Sequence, residues 1–125
     1  MKRIELHTDT IYSRELSFLS PFDLIRVYAK AGYDAIALTD YGSTAAFPEA
    51  EAEARRCNLR LIYGLTLDCV DSDDRYAITV LAKDQTGLEQ LFQLQVLEEK
   101  NRFPFGPCIT RGQLEECRSH LLVGS

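Results

Sequence analysis

The run Ala35–Leu38, AIAL, constrains this chain more than any other four residues, because a strand that is apolar at every position needs cover on both faces. Helices supply that cover, and the flanking segments read as helices. Upstream, in SPFDLIRVYAKAGY, Ser20 can cap, Pro21 suits the first helical position, Asp23 stands three residues after the cap and Gly32 can close the end. Leu24, Val27, Tyr28 and Ala31 then share a face. Downstream, FPEAEAEARRCN reads as a second helix, with Pro48 near its start, Asn58 just past its end and glutamates in its first turns, where they favour the dipole.

Strands and helices go on alternating. Arg3–His7 places Ile4 and Leu6 on one side and Arg3, Glu5 and His7 on the other, as a strand does. LRLIYGLTLDCV is a third strand, and the polar tip DSDD turns it back into RYAITVLA. Asp84 caps QTGLEQLFQLQVLEEK, where Leu88, Leu91 and Phe92 supply a stripe beside Glu98, Glu99 and Lys100. After the connection NRFPFGPCI, Thr110 and Gln113 form a capping box, and HLLVG is a last strand. The pattern is that of an α/β protein.

At 125 residues the chain is expected to form one core. No apolar run is long enough to span a bilayer, and the charged residues in MKRIELHTD interrupt what a secretory signal would need, so a soluble, cytoplasmic protein is expected. The net charge of −5 and scattered basic residues argue against direct nucleic-acid binding. Cys57, Cys69, Cys108 and Cys117 lack zinc-knuckle pairing and read as reduced thiols. Phe92, Phe103 and Phe105 sit beside apolar residues, which favours packing over base stacking. Ser13 and Ser43 have no adjacent base, Glu115 and Glu116 fit a solvated helix face, and His120 lacks a partner at ligand spacing, which fits a surface or capping role.

Chemistry in such sheets gathers where strands end in polar loops. His7, Asp9 and Asp40 stand there. His7 and Asp9 share a strand face, so both could reach one ion, and Asp40 ends the next strand. The competing reading makes them loop caps and hydrogen-bond partners.

The ordered segments IELHTDTIYS, AKAGYDAIALTDYGS, LRLIYGLTLDCVD, ITVLAKDQTGLEQLFQLQ and ITRGQLEECRSHLLVGS resemble the N-terminal half of a PHP domain, the polymerase and histidinol phosphatase family. FPEA, IYGL, TGLEQLFQL and LLVGS resemble most the PHP domain of bacterial DNA polymerase III alpha subunits of the PolC type. The resemblance implies a partial, distorted (β/α)7 barrel with mostly parallel strands and flanking helices. Active members hold a metal cluster for phosphoester hydrolysis, with ligands from H-x-H, T-D-H-G, G-x-E and a histidine opening the fourth strand. Carried onto this chain, His7 and Asp40 match, and Asp9 stands where the second histidine would be. Tyr41, Thr66 and Ala77 replace a histidine, the glutamate and the strand-opening histidine. Asp68, two residues beyond Thr66, is the one possible rescue ligand.

The resemblance further implies a single truncated domain over residues 1–125, with neither the inserted exonuclease nor the polymerase palm of the PolC class. No cofactor is expected; a manganese or zinc ion would be the candidate if one were held. Open sheet edges favour self-association or a covering partner chain. Three functions are therefore carried forward. One is a catalytically silent, structural or protein-contacting PHP domain related to DNA replication; another is a metal-dependent phosphoesterase with a reduced site; the third is an adaptor that recruits a partner along its open edge.

Overall fold

The computed structural model describes residues 2–13, 17–102 and 106–124. In chain order the elements are β1 (Ile4–Glu5), α1 (Pro21–Lys30), β2 (Ala35–Leu38), α2 (Phe47–Cys57), β3 (Arg60–Asp71), β4 (Asp74–Ala82), α3 (Gln85–Lys100), β5 (Ile109–Thr110), α4 (Arg111–Cys117) and β6 (Leu121–Gly124). β2 is buried at all four positions, as its composition requires. It lies between β1 and β3 and runs parallel to both, with Ile4 against Ala35 and Leu38 against Tyr63.

The sheet order is β1-β2-β3-β4-β6. β3 and β4 form a long hairpin, antiparallel from Gly64↔Leu81 to Asp71↔Asp74, and Ser72 in its turn takes φ 56°. β6 adds antiparallel to β4. β5 pairs parallel with the far half of β3, Cys69 against Ile109, along the edge whose near half β2 already occupies. Gly64 marks a close approach of strands: a Cβ there would lie 2.7 Å from Leu81 Cδ2 and 3.0 Å from the Leu38 carbonyl oxygen. The sheet is thus partly parallel and partly antiparallel, the antiparallel share coming from the hairpin and from β6. It also curls, because Leu6 and His7 at one end border the same cavity, about 460 Å³, as Leu122, Val123 and Gly124 at the other.

Helix ends follow the sequence closely. The Asp23 amide donates to Ser20 Oγ (3.1 Å), and the Gly87 amide to Asp84 Oδ1 (2.9 Å). Thr110 and Gln113 make both halves of a capping box. Asn58 closes α2 in the left-handed conformation, φ 55°.

One hydrophobic cluster joins the layers: Leu24 and Ile25 of α1, Phe47 and Ala50 of α2, Leu65 and Leu67 of β3, Val80 of β4 and Leu91 and Leu94 of α3. Burying a side chain such as Leu94, fully enclosed here, is worth about 1.5–3 kcal/mol. Two helix faces are rotated from expectation. Val27 is 52% exposed and Ile25 takes its place in the core; Phe92 is 43% exposed, tilted against Phe47, while Leu94 is buried. Phe103 and Phe105 lie outside the described residues.

The first strand is shorter than Arg3–His7. Beyond Glu5 the chain stays beside β2 but is held by threonines: the Thr8 amide donates to Thr39 Oγ1 (3.1 Å), Thr8 Oγ1 donates to the Ala37 carbonyl (2.6 Å) and the Thr39 amide donates to the Thr8 carbonyl (2.9 Å). β5 is an element the sequence reading assigned to loop and helix cap; two residues are too few to show a period.

Candidate functional site

The parallel strands β1, β2 and the first half of β3 end on the same side, and the polar residues singled out from the sequence cluster there. Threonines build the floor. Thr8 and Thr10 alternate with His7 and Asp9, so the threonines turn into the sheet and are buried while His7 remains exposed. Thr66 Oγ1 donates to the Thr39 carbonyl (2.9 Å) and lies 3.1 Å from Thr79 Oγ1, tying β2 to the hairpin.

Asp40 is 1% exposed. Its Oδ1 accepts from the Thr10 amide and its Oδ2 from Thr10 Oγ1, both at 2.5 Å. Burial pushes this carboxyl above its ordinary value, the two bonds from Thr10 oppose that, and the nearby Asp9 charge adds to it. His7 has both ring nitrogens against protein oxygens: Nδ1 lies 3.1 Å from Thr39 Oγ1 and Nε2 lies 3.3 Å from Asp9 Oδ2. Asp9 Oδ1 accepts from Ser13 Oγ, which also receives the Tyr41 amide. Ser13 thus sits against a carboxylate, yet in a loop-closing role.

A second group forms around Asp68. Tyr41 bridges to Thr66 in parallel register, and its hydroxyl donates to Asp68 Oδ1. Arg75 Nε donates to Asp68 Oδ2 (2.8 Å), and Arg75 Nη2 donates to the Pro107 carbonyl (2.9 Å). Ala77 is the direct cross-strand partner of Asp68, exposed and without a donor atom. Asp68 accordingly faces Tyr41 and Arg75, whereas His7 and Asp9 form a pair of their own.

The carboxylates at these strand ends are hydrogen-bonded within the protein. Every buried side-chain nitrogen and oxygen among the described residues has a hydrogen-bond partner. Among the same residues, no group of three or more His, Cys, Asp or Glu side chains is arranged to hold an ion.

Sequence reasoning missed Arg75, Thr8, Thr10 and Thr39. The hairpin register was the available signal for Arg75: a turn at Ser72 and Asp73 sets Asp68 against Ala77 and makes Arg75 its diagonal neighbour on one face. His120, expected in a surface or capping role, places Nδ1 2.8 Å from Oδ2 of Asp84, the N-cap of α3 and a partner remote in sequence. Cys57, Cys69, Cys108 and Cys117 are all free thiols, with Cys69 and Cys108 buried. No described helix is long and apolar enough to cross a membrane.

Comparison with known proteins adds family context. The PHP domain family model matches residues 5–125. The chain is 37% identical over 70 residues to DNA polymerase III PolC-type of Oceanobacillus iheyensis, covering 56% of this chain and 5% of that protein. It is 38% identical over 64 residues to DNA polymerase III PolC-type of Clostridium perfringens, covering 51% of this chain and 4% of that protein. The match therefore spans a small fraction of those relatives. Among solved structures, a protein of Bifidobacterium adolescentis provisionally described as a metal-dependent phosphoesterase superposes with TM-score 0.60 at 20% identity, covering 79% of this chain and 35% of that one. An amidohydrolase of Chromobacterium violaceum superposes with TM-score 0.58 at 23% identity, covering 78% and 39% respectively. Both support the same partial-barrel fold.

Proposed function

This chain belongs to the PHP domain family, and from that premise we propose that it is a catalytically silent PHP domain, related to the one in PolC-type DNA polymerase III, acting as a structural and protein-contacting module in the cytoplasm. One observation carries the reading: the acidic groups at the strand ends are engaged by the protein's own donors, Asp40 by Thr10 and Asp68 by Tyr41 and Arg75. A metal-bound hydroxide mechanism needs an ion with an open coordination position. Tyr41, Thr66 and Ala77 offer neither imidazole nor carboxylate for it. The apolar sheet ends, with Ile4, Leu6 and Leu122 each about half exposed, fit a module covered by a second copy or a partner chain.

Titration calorimetry with Mn²⁺ and Zn²⁺, beside a phosphate-ester hydrolysis assay, tests the proposal. No binding tighter than millimolar and no turnover above buffer are expected. Micromolar binding accompanied by hydrolysis, both lost in His7→Ala, would instead establish a phosphoesterase built on His7, Asp9 and Asp40.

A further inference from the structure

Asp68 combines three features that call for a counter-charge. Its side chain is only 16% exposed, it stands in the middle of the β3–β4 ladder, and its direct neighbour Ala77 offers it no donor. The charge it receives comes from Arg75, one diagonal step along the same sheet face. Arg75 is held at both ends, by Asp68 Oδ2 at 2.8 Å and by the Pro107 carbonyl at 2.9 Å, and the other carboxylate oxygen receives the Tyr41 hydroxyl. The network joins the end of β2 through Tyr41, β3 through Asp68, β4 through Arg75 and the turn before β5 through Pro107.

We infer that Arg75 is a built-in cation, whose guanidinium neutralises Asp68 and staples the β2 end, the hairpin and the 106–107 turn together, so that the Asp68 carboxylate is balanced without a bound metal. The inference rests on the proposed silent site and deepens it. A guanidinium has a fixed fork of donors and no accessible neutral form. It therefore repels a divalent ion approaching the same carboxylate.

The test is a double-mutant cycle on the 125-residue chain. Thermal unfolding is followed for wild type, Arg75→Ala, Asp68→Asn and the double variant, each in EDTA and in MnCl₂. Each single substitution is expected to lower Tm by about 3–6 °C, and the double variant to lose little more than one single variant. Arg75→Lys, which keeps the charge but not the fork, should recover part of the loss. Additive losses, or an Arg75→Ala variant that melts with wild type, overturn the inference. Should Arg75→Ala not fold, the cycle is run with Arg75→Lys, where additivity with Asp68→Asn is equally fatal. Wild-type Tm should be the same with EDTA and Mn²⁺. Stabilisation by Mn²⁺ that disappears in Asp68→Asn overturns the built-in cation, whereas stabilisation that persists in Asp68→Asn overturns only the silent-site reading.

Discussion

Replacing Thr10 by valine removes one hydroxyl from the most enclosed carboxylate of the strand-end cluster while keeping side-chain shape. Thr10 is fully buried, Asp40 is 1% exposed, and the lost bonds are the 2.5 Å contact from Thr10 Oγ1 to Asp40 Oδ2 and the longer one, 3.2 Å, that Thr10 Oγ1 accepts from the Tyr12 amide. A hydrogen bond to a charged group contributes about 1.5–3 kcal/mol net, and leaving its buried partner unsatisfied adds desolvation cost. Valine opens no cavity, and the Thr10 amide still serves Asp40 Oδ1. The expected loss is therefore about 2 kcal/mol, read as a lower urea midpoint at unchanged m-value. Thr10→Ser keeps the donor and gives up one methyl, so it should lose clearly less, about 1 kcal/mol. If Thr10→Val unfolds within about 0.5 kcal/mol of wild type, or Thr10→Ser loses as much as valine, the account of Asp40 as a carboxylate held by a buried hydroxyl is wrong.

Gly64→Ala should destabilise by at least about 2 kcal/mol, because the added Cβ meets backbone at 2.9 and 3.0 Å as well as Leu81 Cδ2 at 2.7 Å; a variant with wild-type urea midpoint would show that the hairpin yields there freely. The Gly87 amide, first, and the His120 ring, second, hold the Asp84 carboxyl below its ordinary value. A depressed carboxyl gives stability that is present above its unfolded pKa, about 3.9, and lost as pH falls through its lower folded value. The Tm gap between wild type and Asp84→Asn should accordingly narrow as pH drops from 5 toward 3, and a gap that stays constant in melts across that range would refute the assignment.

How far this molecule could be read from its residues depended on the range of the interaction. Caps act over three or four residues, so Ser20, Asp84 and the Thr110–Gln113 box marked their helix starts correctly. Helix faces were harder. Val27 and Ile25 are both apolar, and only packing against the sheet decides which is enclosed. β1 and β5 are two-residue strands defined by their neighbours rather than by a period of their own. At the strand ends the residue types were visible, but their commitments were not. Asp40 meets Thr10 from thirty positions away, and His120 meets Asp84 from thirty-six. Arg75 was in principle accessible from hairpin register, since a two-residue turn fixes every pair behind it.

The divided edge of β3 has a mechanical consequence. At twelve residues the strand is roughly 35–40 Å long, and on one flank it carries β2 and then β5 while β4 runs along the other. It works as a tie-rod. The portion built on β1, α1 and α2 and the portion built on α3, β5 and α4 each grip a different stretch of the same rod. Among the described residues, peeling either portion away would strip the pairing partner from part of the strand on which the other portion is also built.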